Sequence, residues 1–412
     1  MDVDDRRRWL IWISLSEIGT MLVFSSYSAL LPILQKEWAL TNSQAGWIYS
    51  SYQIGYILSV VFLTSLTDYV NPRYIYVLTA FWSGISGILF SLWAEGFYSA
   101  WILRTLMGIG FAGTYMPGLR MVSEKFPSHK RGRAVGIYVG TFSLGVSLSL
   151  FLTGFIHSLL SWRWAFFITS LGPISGGAIA FFRLGEIRWA RQEEIRKVPL
   201  REVLQNRPVL MMIGGYVAHM WELFGMRGWM VAFLTACLLT AQVDFSRAVS
   251  LSAAIAGVVT LVGAISNVLG GMVSDRFGRV NTVIVIMLGS GLLSFLIGWT
   301  RTFPFGLVLT LSILYGFLVT GESSVLSTGV TELAHPAGLG RTMALQSLLG
   351  WGAASLSPIA FGYILDITNP AGALDRLGYV PNWGWAFMSL GIGVLLGPLA
   401  VWRIKKWTGQ PT

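Results

Sequence analysis

Six ionisable residues lie inside long apolar stretches of the sequence, and they are the first candidates for chemistry. An arginine can bind a carboxylate or a phosphate through paired hydrogen bonds, and a buried carboxyl or imidazole group can take up and release a proton. Each group costs free energy in apolar surroundings unless it faces a partner or a water-filled cavity, so its presence there indicates function. The six residues are Glu17, Arg104, His219, Glu222, Arg227 and Glu322.

The segment "HMWELFGMRGW" carries three of these residues. His219 and Glu222 are three positions apart and share one face of a helix. Arg227 points roughly 140° away from Glu222, so a straight helix would not pair these two side chains. A local break at Gly225 and Gly228 could pair them, and both arrangements stay open.

The composition places these residues in a membrane. Hydrophobic residues make up 54% of the 412 positions and charged residues 12%, whereas a soluble domain carries about 25% charged residues. Apolar runs of about 20 residues, the length that crosses the hydrocarbon core, recur along the chain. We therefore predict an all-α membrane protein with twelve transmembrane helices. The predicted spans are 9–34, 45–66, 74–93, 98–121, 134–156, 163–183, 208–237, 247–272, 280–299, 304–327, 342–365 and 384–403.

The basic residues predict the orientation of these spans. The formal net charge is +10, but most of the lysines and arginines fall in or beside the segments on one side of the membrane. This asymmetry is the positive-inside rule, and it predicts a protein of the inner (cytoplasmic) membrane with both termini cytoplasmic. The same distribution argues against a nucleic-acid partner. The first span is too long for a signal peptide and lacks a cleavage site, so we expect it to be retained.

The two halves of the chain repeat each other. A shift of 208 positions pairs Gly108 with Gly316 and Glu124 with Glu332, within an ordered series of such matches. Duplicated halves of this kind are typical of transporters whose substrate site lies between the repeats. The predicted domains are an N-terminal six-helix half (1–185), a cytoplasmic linker (186–207) and a C-terminal six-helix half (208–412).

Short motifs connect the sequence to a known family. "GMVSDRFGRV" (271–280) closely resembles the signature loop of the major facilitator superfamily, and "RTLMGIG" (104–110) resembles its fourth-helix pattern. The first-half counterpart of the loop, "TSLTDYVNPR" (64–73), keeps Asp68 and Arg73 but lacks the opening glycine and the central Arg-x-Gly-Arg. The resemblance covers the whole chain and implies two pseudo-symmetric halves that work by alternating access.

The resemblance also implies roles for particular residues. Helices one, four, seven and ten line the central cavity of the family, and the six ionisable residues lie in those four spans. The signature loops imply cytoplasmic latches between neighbouring helices. Alternatively, these charges only keep the loops inside and bind lipid headgroups. The latch candidates are Asp68, Arg73, Asp275, Arg276 and Arg279.

The two buried arginines favour an anionic substrate. Arg104 lies about 9 Å from the outer end of its span, and Arg227 lies at a comparable depth in the other half. We predict secondary active transport of a small polar solute, with a preference for a small organic or inorganic anion, coupled to protons. The substrate-binding candidates are Arg104, Arg227, Glu222, Trp221, Tyr27 and Tyr115, and the proton-coupling candidates are Glu222, His219, Glu17 and Glu322.

Several alternatives remain at this point. Arg104 could pair with Glu17 or with backbone carbonyls, and Glu222 could be a hydrogen-bonded structural acid. Three acids against two arginines leave room for a cationic or zwitterionic solute, or for a metal ion held by His219 and the glutamates. A non-transporting sensor with the same fold is a further alternative.

The sequence predicts that the protein is not an enzyme. It contains no His-Glu-x-x-His and no Gly-x-Ser-x-Gly motif, and a single His-x-x-Glu pair is a weak signal. We therefore expect no catalytic residue, no cofactor and no resident metal. The expected partners are a small-molecule substrate, protons and the lipid bilayer, and the protein is predicted to be a monomer.

Overall fold

The computed structural model describes residues 3–185, 199–369 and 381–405. These residues are almost entirely helical and contain no β-strand, which confirms the predicted all-α fold. The helices are α1 (Val3–Met21), α2 (Ser26–Glu37), α3 (Asn42–Leu66), α4 (Pro72–Trp93), α5 (Phe97–Lys125), α6 (Ser128–Leu159), α7 (Trp162–Arg183), α8 (Leu200–Gln205), α9 (Arg207–Thr240), α10 (Phe245–Phe277), α11 (Arg279–Ile297), α12 (Phe305–Gly321), α13 (Ser323–Leu333), α14 (Leu339–Thr368) and α15 (Gly384–Trp402).

The helices follow the predicted spans, with one qualification. Within the described residues, ten helical stretches are long and apolar enough to cross a membrane. The helices α3 and α5 coincide with predicted spans but are not among the ten. Both carry buried polar side chains, such as Gln53 on α3 and Arg104 on α5, and these lower their hydropathy. The predicted linker contains α8, and its residues 186–198 lie outside the described part of the chain.

Two of the predicted spans consist of two helices each. Between α1 and α2, the backbone N–H of Ser25 donates to the hydroxyl of Ser149 at 3.1 Å. Between α12 and α13 the helix is interrupted at Glu322, and the N–H of Ser324 donates to the side-chain oxygen of Asn267 at 2.8 Å. A broken helix is tolerated in a membrane only where such partners satisfy the released backbone groups.

The helix that carries "HMWELFGMRGW" is unbroken. Helix α9 runs continuously from Arg207 to Thr240, so the break considered at Gly225 and Gly228 is wrong. Both glycines serve close packing instead. A Cβ atom on Gly225 would overlap the Leu390 side chain, and one on Gly228 would lie 3.3 Å from the Tyr49 ring.

The chain folds into two compact units. The first comprises Met1–Leu40, Ser51–Gln192 and Val249–Gly257, and the second comprises Thr41–Ser50, Glu193–Ala248 and Val258–Thr412. The predicted domains differ from these units in two short segments, one at the start of α3 and one in α10. Thr41–Ser50 belongs to the second unit, and Val249–Gly257 belongs to the first. The 208-residue shift places one of these segments on the other, so they are equivalent positions of the sequence repeat.

Each unit has its own helix packing. In the first unit, α4 packs against α5 and α7, and α1 packs against α7 and α6. In the second unit, α9 packs against α14 and α15, and α11 packs against α15. Nearly all residues of helix α9 from Ala218 onward are buried. Its ionisable residues are therefore held inside the protein rather than at its lipid-facing surface.

A carboxylate of α14 caps the first turn of α3 within the second unit. Asp366 Oδ1 accepts hydrogen bonds from the backbone and side-chain nitrogens of Asn42 at 2.9 and 2.8 Å. Asp366 Oδ2 accepts from the backbone nitrogen and hydroxyl of Ser43 at 2.8 and 2.5 Å. The first N–H groups of a helix have no partner inside the helix. Asp366 therefore satisfies two of them and fixes the beginning of α3 in this unit.

Candidate functional site

Arg104 lies on α5 of the first unit between two tyrosine rings. Its guanidinium carbon is 4.7 Å from the centre of the Tyr52 ring and 5.4 Å from that of Tyr27. The residue is only 1% exposed. A desolvated cation over an aromatic ring gains about 2 kcal/mol. The two rings therefore position the guanidinium.

Close approach of two helices places Tyr52 against this arginine. A Cβ atom on Gly108 of α5 would overlap the carbonyl oxygen of Tyr52, and one on Gly55 of α3 would overlap the carbonyl oxygen of Thr105. Only glycine allows the two backbones to come so near. Gly108, the first glycine after Arg104 in "RTLMGIG", thus allows the close approach that brings the Tyr52 ring within reach of the guanidinium.

Glu17 lies in a separate polar cluster of the first unit. Its Oε2 accepts a hydrogen bond from Tyr138 at 2.7 Å, with longer bonds of 3.4 Å from Tyr76 and Thr20. Its Oε1 has no hydrogen-bond partner among the described residues. The ion pairs of the described residues do not join Glu17 to Arg104. The pairing of Arg104 with Glu17 that the sequence left open is therefore not among the described ion pairs.

A row of aromatic rings connects the two clusters of the first unit. The ring of Tyr138 lies 6.4 Å from that of Tyr115, which lies 5.9 Å from that of Phe111. Phe111 in turn lies 5.6 Å from Tyr52. Tyr115, a predicted substrate ligand, is thus placed in the aromatic wall between the carboxyl cluster and the arginine cluster.

His219 and Glu322 form a buried pair in the second unit. His219 Nδ1 lies 2.9 Å from Glu322 Oε1, and both side chains are fully buried. Glu322 stands at the interruption between α12 and α13. His219 Nε2 and Glu322 Oε2 have no hydrogen-bond partner among the described residues. Two proton-coupling candidates that are 103 positions apart in the chain are therefore in direct contact.

Glu222 occupies a neighbouring position on α9 but has different partners. Its Oε2 accepts a hydrogen bond from Ser290 of α11 at 2.8 Å, and its Oε1 has none among the described residues. A second hydroxyl pair, Ser294 and Tyr315 at 2.7 Å, lies one turn further along α11. The described residues contain no group of three or more His, Cys, Asp and Glu that could hold a metal ion, so the metal alternative receives no support.

The remaining candidates of α9 are packed within the second unit. The guanidinium carbon of Arg227 lies 6.0 Å from the centre of the Phe224 ring, and the side chain is partly buried. The indole N–H of Trp221 donates to the carbonyl oxygen of Ser389 at 3.2 Å. This bond fixes Trp221 against α15, so its polar atom is engaged in helix packing.

The loop charges form one ion-pair cluster in each unit. In the first unit, Arg120 lies 2.6 Å from Asp68 and 2.8 Å from Glu124. In the second unit, Arg279 lies 2.6 Å from Asp275 and 2.9 Å from Glu332. Glu124 and Glu332 are one of the residue pairs related by the 208-residue shift, so the duplicated halves use equivalent carboxylates. The function of these clusters as latches stays a prediction.

Two latch candidates lie outside these clusters. Arg73 donates from its Nε to the carbonyl oxygen of Ala180 at 3.2 Å and from Nη2 to that of Phe181, near the end of α7. The guanidinium carbon of Arg276 lies 5.6 Å from the centre of the neighbouring Phe277 ring. Neither residue takes part in the ion pairs of the described chain.

Some site residues were not predicted from the sequence. Arg120 could have been found, because Arg120 and Glu124 have the i, i+4 spacing of a helical ion pair. Tyr138, Ser290 and Asp366 carry no comparable local signal, because their partners are far away in the chain. Their roles appear only when helices distant in sequence are packed together.

Comparison with known proteins adds independent information. The family model described as "Major Facilitator Superfamily" matches residues 13–358. The "Hexuronate transporter" of Bacillus subtilis is 24% identical over 99% of this chain and 96% of its own length. The "D-galactonate transporter" of Escherichia coli is 32% identical, but over 33% of this chain and 31% of its own length. The crystal structure of a bacterial homologue of the human lysosomal transporter Spinster, inward-facing and occupied, has a TM-score of 0.79 at 16% identity over 98% of both chains. At that identity the likeness shows the fold alone.

Proposed function

Because the chain belongs to the Major Facilitator Superfamily, we propose that it is a secondary active transporter of a small organic anion, a carboxylate. The observation that carries this proposal is Arg104, a buried guanidinium held between two tyrosine rings in the first unit. A guanidinium presents its N–H groups in a planar fork that matches the two oxygens of a carboxylate. The relatives named for hexuronate and D-galactonate support the proposal, because both of these solutes are carboxylates.

We propose that transport is coupled to protons. The groups that would carry the proton are the His219–Glu322 pair and Glu222 in the second unit, and Glu17 in the first. Each of the three carboxyl groups is fully buried and keeps one oxygen without a hydrogen-bond partner among the described residues. Intramembrane carboxyl groups of this kind are typical of proton relays, because a change in their surroundings changes whether they hold a proton.

The mechanism that fits these groups is alternating access in the inner membrane, with both chain ends cytoplasmic. Substrate binding at Arg104 and proton binding at the buried carboxyl groups would each favour one state of the transporter. A ligand shifts such an equilibrium only through its different affinity for the two states. We therefore expect the binding of substrate and the binding of protons to be thermodynamically coupled, so that a pH gradient drives accumulation of the anion.

Uptake into proteoliposomes tests the proposal. The purified full-length protein is reconstituted, and uptake of labelled galactonate and glucuronate is measured with and without a pH gradient. We expect saturable uptake that the gradient increases, and loss of uptake in Arg104→Gln. Arg247→Gln is the matched control, because Arg247 is an exposed arginine of α10 and should leave uptake unchanged.

Three results would contradict the proposal. Full uptake by a correctly folded Arg104→Gln variant would remove the arginine from the binding site. Uptake of organic cations in place of the carboxylates would favour the cationic alternative. The absence of flux for every solute, although carboxylates stabilise the protein against heat, would favour a sensor. Uptake that ignores the pH gradient would refute only the coupling.

A further inference from the structure

A basic cavity lies in the first unit where α1 and α6 begin. Its volume is about 500 Å³, which is within the range of ligand-binding pockets. None of its basic side chains takes part in the ion pairs of the described residues, so within that part of the chain their charge is not paired with a carboxylate. These basic lining residues are Arg6, Arg7, Lys130 and Arg133.

The lining residues share one face of each helix. On α6 they occupy positions 130, 133, 134 and 137, which is the i, i+3, i+4, i+7 pattern of a single helical face. On α1, Arg6 and Leu10 are about one turn apart. Basic and apolar side chains therefore line the same cavity. Its apolar part consists of Leu10, Phe126, Ala134 and Ile137.

Positive charge is crowded at this end of the unit. Lys125, in the last turn of α5, places its ammonium 5.4 Å from the centre of the Trp9 ring. Burial, and after it the charge of Arg6, lowers the pKa of Lys125. The neighbouring carboxylate, Glu124, is bound to Arg120 instead. A bound anion would relieve the repulsion among the cations, because an opposite charge nearby favours the charged form of each.

We propose that this cavity binds the headgroup of an anionic phospholipid, with the phosphate among the four basic residues and an acyl chain along Ile137. Ile137 is 43% exposed on a helix long and apolar enough to cross a membrane, which favours a lipid over a free phosphate ion. Basic pockets at the ends of membrane helices combine charge attraction with apolar contact in this way. Helix α6 begins beside the cavity at Ser128, and the positive end of its dipole adds to the attraction.

Native mass spectrometry and thermal unfolding of the detergent-purified full-length protein test this site. Phosphatidylglycerol, phosphatidylcholine and inorganic phosphate are the probes. We expect phosphatidylglycerol to bind at least tenfold more tightly than phosphatidylcholine and to raise the unfolding temperature. The double variant Lys130→Gln/Arg133→Gln should lose at least tenfold in affinity for phosphatidylglycerol. Arg6→Gln/Arg7→Gln, on α1, should cause the same loss of affinity for phosphatidylglycerol. The test then does not depend on the correct folding of a single variant.

The matched control carries two neutralised charges at the end of α15. Arg403 is exposed and Lys405 is partly buried, and neither lines the cavity, so Arg403→Gln/Lys405→Gln should keep the affinity of the unchanged protein. An equal loss in this control would overturn the proposal, because it would indicate unspecific attraction. Inorganic phosphate that stabilises the protein as well as the lipid does would assign the cavity to a free anion. Unchanged lipid binding in both cavity variants would also overturn the proposal.

Discussion

The ring of Tyr52 offers a direct test of how the first unit holds Arg104. The guanidinium carbon lies 4.7 Å from the centre of this ring, and the Tyr27 ring on its other side is 5.4 Å away. Replacement of Tyr52 by leucine removes one of the two rings. A desolvated cation–π contact is worth about 2 kcal/mol, so a loss of about 1–2 kcal/mol in positioning Arg104 corresponds to roughly 5- to 30-fold weaker binding of a carboxylate.

The hydroxyl of Tyr52 separates two explanations. It is buried and has no hydrogen-bond partner among the described residues, so Tyr52→Phe removes no hydrogen bond from that part of the protein and keeps the ring over Arg104. If the ring alone matters, we expect Tyr52→Phe to bind the anion nearly as well as the unchanged protein. Affinity is measured by the shift in unfolding temperature as galactonate is titrated, since a ligand that binds the folded state stabilises it.

A packing control keeps the result interpretable. Tyr52→Leu also opens space in the core and lowers stability, so Tyr56→Leu is made in parallel. Tyr56 is equally buried on α3 and lies 5.2 Å from the same Phe111 ring. We expect a similar loss of stability in both leucine variants but a loss of anion affinity only in Tyr52→Leu. Unchanged affinity in Tyr52→Leu would refute the positioning role of the ring. An equal loss in Tyr52→Phe would show that the hydroxyl contacts the substrate.

Three further predictions follow from packing and hydrogen bonding. Gly108→Ala should lower both stability and uptake, because its Cβ would overlap the backbone of α3. Gly132→Ala is the control and should be neutral, because no atom lies within 4 Å of its Cβ. Equal unfolding temperatures of the two variants would contradict this prediction. Asp366→Ala removes four hydrogen bonds from the first turn of α3 and should cost about 2 kcal/mol, while the exposed Glu95→Ala should cost almost nothing in the same thermal unfolding experiment. Glu222→Gln can still accept the hydrogen bond from the α11 hydroxyl but cannot release a proton, so it should retain exchange of substrate down its own gradient and lose accumulation driven by a pH gradient. Accumulation at the original level in Glu222→Gln would remove this residue from the coupling.

The membrane architecture of this chain was readable from the sequence alone. Hydropathy is a local property that adds along the chain, so apolar runs of about 20 residues identify helices without knowledge of their neighbours. The motif at 271–280 indicated the family that the family model then showed. Helices α3 and α5 follow predicted spans but are less apolar, because they carry side chains that pack inside the protein, such as Gln53 and Arg104.

The partners of the buried charges were decided by tertiary structure. Sequence spacing showed that Glu222 and Arg227 would diverge on a straight helix, and the unbroken α9 keeps them apart. It did not show that His219 meets Glu322, or that Glu17 is bound by tyrosines. A hydrogen bond depends on distances of about 3 Å between residues that are far apart in sequence. Those distances are set by helix packing, at glycines and helix interruptions whose neighbours only the folded chain determines.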